Sequence, residues 1–345
     1  MSIFLPQQKA FGLDISDYVM RLAYADKDQI VTAGEIELPT GLISKGIIKN
    51  PEKVAEYIDQ LVHNVKGRKI KTKYVVACLP EQRTFIKVID LPPYDKTNFQ
   101  NVLAEEIVKH IPYEINEIYI DWQKLPTTSG NKILIGVTPK DIVISYQNLL
   151  AAARLMPVAL EIEAASISRC LIQEKKSQTA KIILDIGFNR TSLIVYDNET
   201  VQFSISIPIS GDVISKSIAS TLSLDYQEAE KAKIVCGFDE HKCDQALVKI
   251  LKPVMERLIL NINEAITFYQ NHFTNRHEIK EIILCGGGAN FKNLDKIIME
   301  KTSLTVAKGD IFTNLSQPPK KEIMPPKNYL SYVSAVGLAL YQKNV

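Results

Sequence analysis

The chain lacks a long apolar stretch, and no run approaches the ~20 residues that a membrane-spanning helix needs. Its opening segment, Met1 to Lys9, is too short and too polar for a secretory signal. The net charge is only +2, and the basic segment 66–71 lies between a predicted helix and a predicted strand, where we expect a solvated turn. These absences predict a cytoplasmic protein that has no dedicated nucleic-acid surface and reaches a membrane only through a partner.

Several common catalytic and metal-binding patterns are also missing. No Ser-His-Asp or Cys-His arrangement is evident, and the dinucleotide-binding spacing G-x-G-x-x-G does not occur. The five cysteines are an odd number, and Cys78 and Cys285 fall inside apolar strands, which suits a reducing compartment. The spacing of Cys236, His241 and Cys243 is wrong for zinc, so we expect buried or idle thiols there.

What the sequence does contain is a repeat. An apolar strand ending in Asp-Ile and a small residue occurs at 11–16 (FGLDIS) and again at 182–187 (IILDIG), 171 residues later. Each copy turns tightly into a second strand and continues through a polar hairpin turn into a third strand. Two such hairpins can face one another across a cleft, as in a nucleotide-phosphate clamp. The repeat therefore predicts both a duplicated α/β fold and a ligand class.

A segment of different character interrupts the first half. Before it, Asn50 and Pro51 predict a helix start, and the apolar run 74–79 predicts a strand buried on both faces. Residues 84–156 then predict strand, helix, strand, strand and helix, with Asp95 capping the first helix and a loop at 127–131. This order is enough for a small inserted α+β module.

The second half predicts a different set of helices. Asp225 and Glu228 have the spacing of a helix start, and a long apolar-periodic helix follows over 248–273. A buried strand at 281–285 runs directly into three glycines that open another helix, and the chain closes with a short helix over 332–341.

Asp14 and Asp185 end the two matched strands and are the first candidates for chemistry. Buried carboxylates are costly unless they are paired, hydrogen-bonded or metal-bound. On the functional interpretation they face phosphates and order Mg²⁺, mostly through water. On the alternative interpretation each is a turn residue that accepts backbone hydrogen bonds. Their repetition at matched places favours the functional interpretation.

The two turns after these aspartates differ in one respect. Gly187 would let backbone N–H groups approach a phosphate, with Asn189 and Thr191 adding donors. The first copy has Ser16 in place of that glycine, followed by Asp17. We expect the added Cβ to crowd a phosphate and the added carboxylate to repel it.

Two further groups could contact a ligand. Gly286, Gly287 and Gly288 lie between a strand and a helix, which indicates either close backbone approach by a ligand or a structural turn. Glu230 and Lys233 fall three apart on one helix face, where they could bond a ribose or form an exposed helix pair.

This ordered set resembles the actin/Hsp70/sugar-kinase superfamily. Within it, the inserted module is similar to that of the cell-division actin FtsA and of the type IV pilus assembly protein PilM family, and the PilM family is the closer match. The residues that carry the resemblance are 104–113 (AEEIVKHIPY), 135–140 (IGVTPK), 184–187 (LDIG), 229–233 (AEKAK), 284–289 (LCGGGA) and 335–340 (AVGLAL).

The resemblance implies an actin/Hsp70-like duplicated fold whose two halves flank a nucleotide cleft. The implied parts are a first half at 1–83, 157–180 and 329–345, an inserted partner-binding α+β subdomain at 84–156, a second half at 181–224 and 275–328, and a helical subdomain at 225–274.

The resemblance also implies a cofactor, ATP or ADP with Mg²⁺. Phosphate contacts fall at Asp14, Ser16, Asp185, Gly187, Asn189 and Thr191, and the two aspartates would hold the metal through water. Adenosine contacts fall at Glu230, Lys233, Gly286, Gly287, Gly288 and Asn290. Because Ser16 replaces the family's usual glycine, we expect at most weak hydrolysis.

The implied function is a cytoplasmic scaffold recruited to the inner face of the membrane, where it holds the cytoplasmic tail of a PilN-like protein in a pilus, secretion or DNA-uptake machine. The alternatives are an FtsA-like division actin and, less favoured, a sugar-kinase-type phosphotransferase. A phosphotransferase needs a carboxylate base, for which Glu161 and Glu163 are the candidates, although they could equally orient a hydrolytic water. For the partner groove we expect the apolar edge strand 85–89 and the helix bearing Phe99, Val102 and Leu103, unless those residues form core.

Overall fold

The computed structural model describes residues 9–95, 97–125, 131–173, 177–238 and 245–341. The chain forms two compact units. The first comprises Met1–Gln173, Val201–Phe203 and Ile311–Val345, and the second comprises Glu174–Thr200 and Ser204–Asp310. No helix within the described ranges is long and apolar enough to cross a bilayer.

The first unit contains most of the strands. Up to residue 173 its elements are β1 Phe11–Ile15, β2 Val19–Asp26, β3 Gln29–Glu37, β4 Ile43–Ser44, β5 Ile47–Ile48, α1 Pro51–His63, β6 Lys66–Gly67, β7 Tyr74–Leu79, β8 Phe85–Asp90, α2 Phe99–Val108, β9 Ile118–Lys124, β10 Lys132–Pro139, α3 Lys140–Ala152, β11 Met156–Ile162 and α4 Glu163–Leu171.

The second unit contains a mixed sheet and four helices among the described residues. Its elements are β12 Ala180–Ile186, β13 Thr191–Asp197, β14 Thr200–Ile207 (of which Val201–Phe203 group with the first unit), α5 Gly211–Leu222, α6 Tyr226–Cys236, α7 Gln245–His272, β15 Ile279–Cys285, α8 Leu294–Thr302 and β16 Thr305–Lys308. The chain rejoins the first unit at Ile311, and helix α9, Val333–Ala339, belongs to that unit.

The sequence repeat corresponds to a structural repeat. Strand β1 pairs antiparallel with β2 and parallel with β7, and β12 pairs antiparallel with β13 and parallel with β15. Asp14 and Asp185 each lie one residue before the end of their strand. Ligands in open α/β sheets bind at the carboxyl ends of the strands, so both carboxylates stand at the edge where a ligand is expected.

The first unit is built on a sheet of order β11-β7-β1-β2-β3-β6 that is covered on both faces. On one face Val75 and Ala77 of β7 join a core with α1 and α3. On the other face Val76 and Cys78 pack with Leu338 of α9. The alternation confirms the strand buried on both sides that the continuous apolar run predicts.

The inserted module has the predicted order of elements and two corrections. Strand β10 pairs with β8 on one side and with β9 on the other, and Lys87 of β8 also pairs with Phe203, so β8 is not an edge strand as we expected. Leu103 of α2 and Ile89 of β8 are buried in the module's core, with Phe99 packed against it, which favours core packing over a partner face. Residues 127–130 of the predicted loop lie outside the described residues.

Helix α2 begins later than the sequence predicts. The carboxylate of Asp95 accepts hydrogen bonds from the backbone N–H groups of Thr97 and Asn98, at 2.8 and 2.9 Å, so it forms a turn ahead of the helix. The helix begins at Phe99, and Asn98 is the N-cap. Asp95 therefore caps no helix, because its local hydrogen bonds stabilise a competing turn.

In the second unit, α6 has the capping box that the spacing of Asp225 and Glu228 predicts. Cys78, Cys170 and Cys285 are not disulfide-bonded, but Cys236 is, so the prediction of a thiol at Cys236 is wrong. Spacing along the chain does not report which thiols meet in space, and this is why the sequence missed the bond. The predictions for His241 and Cys243 lie outside the described residues.

Helix α9 approaches its neighbours closely enough to exclude side chains. A Cβ atom on Gly12 of β1 would lie 2.5 Å from the Ala339 backbone nitrogen, and one on Gly337 would lie 2.5 Å from the Ser166 carbonyl carbon. Real Cβ atoms essentially never come this close to other atoms. The two glycines therefore permit α9 to pack directly on the backbones of β1 and α4.

We expect Gly337→Ala to lower the free energy of unfolding of the first unit by about 3 kcal/mol, because the added methyl meets backbone that cannot move aside. At an open helical position the same change would raise stability by about 1 kcal/mol. Urea denaturation followed by the fluorescence of Trp122, the chain's single tryptophan, measures the first unit selectively.

The matched control is Gly136→Ala in β10, where the nearest atom is the flexible end of Ile162, 3.2 Å from an added Cβ. We expect a change below about 1 kcal/mol there. A Gly337→Ala protein as stable as the wild type would contradict the close approach of α9 to α4.

Candidate functional site

The turn after β12 packs against the start of α5. Gly187 donates its N–H to the Arg190 carbonyl at 2.8 Å, and the carbonyls of Gly187 and Phe188 accept the N–H groups of Gly211 and Asp212 at 3.1 and 3.0 Å. The side chain of Ser210 accepts the next N–H group of the helix, that of Val213. These amides of α5 are thus already satisfied, and an anion at this turn would have to be bound by the turn itself.

Three of the predicted phosphate residues differ in accessibility. Thr191 is fully buried and donates its hydroxyl to the Ile209 carbonyl at 2.8 Å. Gly187 and Asn189 are half-buried. The Thr191 hydroxyl therefore joins β13 to the segment after β14, while Gly187 and Asn189 remain accessible to a ligand.

The glycine-rich turn after β15 lies beside the end of β12, because Asp185 and Cys285 are direct partners in the parallel register. Gly286 has a φ of +77°, and a Cβ on it would lie 2.6 Å from the Ile186 carbonyl oxygen. A Cβ on Gly288 would lie 2.9 Å from the Ile186 Cβ. Packing of the turn against the strand end thus accounts for both of these glycines.

The middle glycine of this turn has a different environment. Gly287 and Asn290 are exposed, while Gly286 and Gly288 are buried. The Lys308 ammonium lies 3.5 Å from the Asn290 side-chain oxygen. Of the predicted adenosine contacts in this turn, Gly287 and Asn290 are therefore the ones that a ligand can reach.

Glu230 and Lys233 do not form an exposed helix pair. Lys233 is 5% exposed, and its ammonium donates to the Gly211 carbonyl at 2.9 Å and to the Glu230 carboxylate at 2.5 Å. Ser215 also donates to Glu230. The sequence missed the role of Gly211, whose carbonyl accepts a hydrogen bond from the Lys233 ammonium. The sequence feature that could have identified this role is the Ser-Gly-Asp start of the first helix after the repeat.

A tyrosine completes the polar contacts between α5 and α6. Tyr226 donates its hydroxyl to Asp212 at 3.0 Å, and Asp212 also accepts the ammonium of Lys216 at 2.7 Å. Burial, and next the hydrogen bond to Asp212, raise the pKa of the Tyr226 phenol. The phenol therefore stays a proton donor at neutral pH and keeps Asp212 in place.

The corresponding turn of the first unit is held by its own side chains. Ser16 donates its hydroxyl to the Val19 carbonyl at 2.7 Å, which closes the turn. The Asp17 carboxylate accepts the backbone N–H groups of Lys45 and Gly46 at 2.7 and 3.0 Å. The residues that depart from the expected glycine pattern thus anchor this turn to the 45–46 turn.

Asp14 is buried at the end of β1, where it affects a neighbouring thiol. Burial, and next the charge of Asp14, raise the pKa of the Cys78 thiol well above its ordinary value. Cys78 therefore stays protonated and unreactive toward electrophiles at neutral pH.

The two candidate bases have structural partners. Both oxygens of Glu161 accept hydrogen bonds from Arg169, at 2.5 and 2.7 Å, and Arg169 also donates to the Gly337 carbonyl at 3.0 Å. Glu163 accepts the Ser334 hydroxyl at 3.2 Å. Both carboxylate oxygens of Glu161 are therefore committed to the ion pair with Arg169, which leaves this side chain poorly placed to contact a substrate hydroxyl.

A cavity of about 410 Å³ lies within the first unit, between the edge strand β9 and strand β11. Its walls are mainly apolar and aromatic, and Asp121 and Glu161 are the carboxylates in its lining. We expected a partner groove on β8 and α2; Ile86 of β8 lines this cavity, whereas, among the described residues, none from α2 lines it. Two exposed aromatic residues on β9, Tyr119 and Trp122, line this cavity.

The chain is similar to known proteins along most of its length. A family model described as type IV pilus assembly protein PilM matches residues 12–343. Cell division protein FtsA of Enterococcus hirae is 22% identical over 252 residues, which is 66% of this chain and 57% of the relative. FtsA of Buchnera aphidicola subsp. Schizaphis graminum is 22% identical over 209 residues, which is 51% of this chain and 47% of the relative. The chain spans about half the length of the curated relatives it matches.

Solved structures agree on the fold. The "PilM-PilN type IV pilus biogenesis complex" is similar with a TM-score of 0.82 at 18% identity, over 97% of this chain and 98% of the other. MreB 5 of Spiroplasma citri bound to AMPPNP has a TM-score of 0.59 at 12% identity, over 99% of this chain and 97% of the other. The ethanolamine utilization protein EutJ from Carboxydothermus hydrogenoformans has a TM-score of 0.57 at 16% identity, over 98% of this chain and 91% of the other.

These likenesses confirm the duplicated actin-like fold that the sequence repeat and the resemblance predict. The family model covers both units, including the turns after β1, β12 and β15. The chain therefore belongs to the type IV pilus assembly protein PilM family.

Proposed function

We propose that this protein is an actin-like, nucleotide-binding scaffold in the inner-membrane assembly complex of a type IV pilus or a related secretion or DNA-uptake machine. The observation that carries the proposal is the likeness of nearly the whole chain to the PilM-PilN complex, in both coverage and TM-score. On this proposal the protein is cytoplasmic and is recruited to the inner face of the membrane by a PilN-like protein. The FtsA-like alternative has weaker support, since those relatives match at 22% identity over part of the chain.

ATP or ADP is the proposed ligand, with Mg²⁺. The MreB 5 structures that share the fold were solved with ADP and with AMPPNP, which supports a nucleotide. The residues present fit these ligands: because they lack a Cβ, Gly187 and Gly287 let a ligand approach the backbone closely, and Asp14 and Asp185 supply the oxygen ligands that Mg²⁺ prefers. Bound Mg²⁺ would neutralise phosphate charge.

The remaining contacts follow the same assignment. Asn189 and the Ser16 turn would complete the phosphate contacts, and Glu230, Lys233 and Asn290 would contact the adenosine. Because Lys233 is already engaged by Gly211 and Glu230, we propose that it reaches a ribose through the half-exposed Glu230 carboxylate.

A scaffold suits these residues better than a phosphotransferase. The Glu161 carboxylate is held by Arg169 at two points, so the first candidate base serves packing. The side chains of Ser16 and Asp17 form hydrogen bonds that stabilise the turn after β1. We therefore propose at most weak hydrolysis, with nucleotide acting as a structural ligand.

The partner site is proposed to be the cavity between β9 and β11. Among the residues that the structure describes, strand β9 pairs with β10 alone, so its other edge is open to an extended peptide. The apolar walls suit apolar side chains, and the exposed carboxylate of Asp121 suits a basic residue. A short cytoplasmic tail of a PilN-like protein that combines apolar and basic residues would fit.

For the nucleotide, we expect isothermal titration of the wild type with ATP and Mg²⁺ to give micromolar binding. Gly287→Arg should abolish binding, because the new side chain occupies the exposed glycine of the turn, and Asp185→Ala should weaken binding by removing a metal ligand. Gln317→Arg adds the same charge as the first variant on an exposed loop and should bind normally.

Thermal unfolding of each variant without nucleotide checks that the fold is intact. A well-folded wild type that binds no nucleotide would mean that the fold serves as a nucleotide-free scaffold. Normal binding by Gly287→Arg would place the nucleotide elsewhere.

For the partner, the fluorescence of Trp122 is a direct reporter, because this single tryptophan lines the cavity. A synthetic peptide of the PilN-like tail should change its emission in a saturable way. Asp121→Lys should weaken binding about tenfold by replacing attraction to a basic residue with repulsion.

Glu256→Lys makes the same charge change on the exposed face of α7 and should leave peptide affinity unchanged. Peptide binding of equal strength in Asp121→Lys, with no change in Trp122 emission, would remove the cavity as the partner site and leave the nucleotide proposal intact.

A further inference from the structure

One end of the six-stranded sheet of the first unit is unusually basic. The segment 66–73 (KGRKIKTK) contains five cations and no carboxylate. It leaves the sheet at the edge strand β6 and re-enters at β7, next to the opposite edge strand β11. With strands about 4.8 Å apart, it crosses roughly 20 Å of the sheet end. We call this end, with the cations Lys66, Arg68, Lys69, Lys71 and Lys73, the basic end.

A second segment adds two cations to the basic end. A Cβ on Gly67 would lie 3.3 Å from Ile323 Cγ1, so the turn containing Lys320 and Lys321 lies against β6. Both lysines are exposed. One carboxylate, Glu322, is in the same turn.

Few of these charges are neutralised by neighbours. Arg68 pairs with Asp26 at 2.7 Å. In the part of the chain that the structure describes, the six lysines of the two segments have no carboxylate within 4 Å. Many other lysines of the chain do, among them Lys53, Lys109 and Lys181. The basic end therefore keeps most of its positive charge for an external partner.

Exposed apolar side chains adjoin the basic end. The Met156 N–H donates to the Lys73 carbonyl at 2.8 Å, which places the start of β11 beside the segment. Met156 and Val158 are 46% and 43% exposed, and Pro157 between them is also exposed. Cations beside exposed apolar side chains are typical of surfaces that lie on a bilayer, where the apolar groups enter the headgroup layer.

The basic end is opposite to both proposed binding sites of this unit. Strands β1, β7 and β11 begin there, and the Ser16 turn and Glu161 lie at or near their far ends. Occupation of those sites would leave the basic end open.

We propose that the basic end binds anionic phospholipid headgroups, so that the first unit contacts the membrane surface directly. Juxtaposed Lys and Arg side chains are attracted to the negative surface of a bilayer. Single-stranded nucleic acid is the less suitable partner, because it calls for aromatic platforms among the cations. The segment 66–73 has no aromatic residue, and the neighbouring ring of Tyr74 is half-buried, with the Lys73 ammonium over it at 5.9 Å. The proposal goes beyond the tail-binding function and does not depend on it.

Co-sedimentation of the full chain with vesicles tests this. We expect binding to vesicles of phosphatidylcholine mixed with phosphatidylglycerol, little binding to phosphatidylcholine alone, and loss of binding at high salt. The triple variant K69E/K71E/K73E should reduce binding at least about tenfold by reversing the charge of the patch. Gel filtration and thermal unfolding check that the variant is folded.

The matched control is K249E/K252E/K296E, which makes the same change in net charge on exposed lysines of the second unit. It should bind the anionic vesicles like the wild type. Absence of binding by the wild type, or equal loss in both triple variants, would overturn the proposal. So would tighter binding to single-stranded DNA or RNA than to the vesicles, lost in K69E/K71E/K73E, since that result would identify a nucleic-acid surface.

Discussion

The packing of α9 against bare backbone is the constraint on which the first unit depends. Gly12 and Gly337 remove the two side chains that would keep this helix away from β1 and α4. Arg169 can then reach the Gly337 carbonyl, and the same guanidinium holds both oxygens of Glu161 in the wall of the cavity. Tyr341, just beyond α9, lies under Arg169 at 5.4 Å and lines the same cavity. The absence of side chains at Gly12 and Gly337 thus helps to determine the shape of the proposed partner site, through the contacts of Arg169 with Gly337, Glu161 and Tyr341.

In the second unit, glycines likewise permit close packing against backbone, and polar contacts add to it. Gly286 and Gly288 let the turn after β15 rest on the end of β12, beside Asp185. From the turn after β12, hydrogen bonds continue through Gly211 to Lys233 and Glu230. The loops proposed to hold phosphate and adenosine are therefore connected before any ligand arrives, and such preorganisation lowers the conformational cost of binding. No comparable chain of bonds is needed at Ser16, where one hydroxyl closes the turn.

Features that depend on neighbouring residues were predictable from the sequence. The repeated strand and turn, the buried strand β7 and the capping box of Asp225 and Glu228 all follow from local spacing, and the structure has them. Features that depend on distant partners were not predictable. Asp17 bonds to amides 28 and 29 residues away, which converts an expected repulsive charge into an anchor. The buried Lys233 ammonium donates to a carbonyl 22 residues away. Asp95 accepts hydrogen bonds within a local turn and does not cap the helix.

The discontinuity of the first unit has a consequence for biosynthesis. Every residue of the second unit precedes residue 311, whereas β1 needs α9, which begins at Val333. Domains usually fold in the order in which the ribosome releases them. Here the face of β7 that carries Val76 and Cys78 must stay uncovered through the synthesis of the whole second unit. That interval is the period in which a nascent chain would most need a chaperone, and it ends only when the helix at 333–339 leaves the exit tunnel.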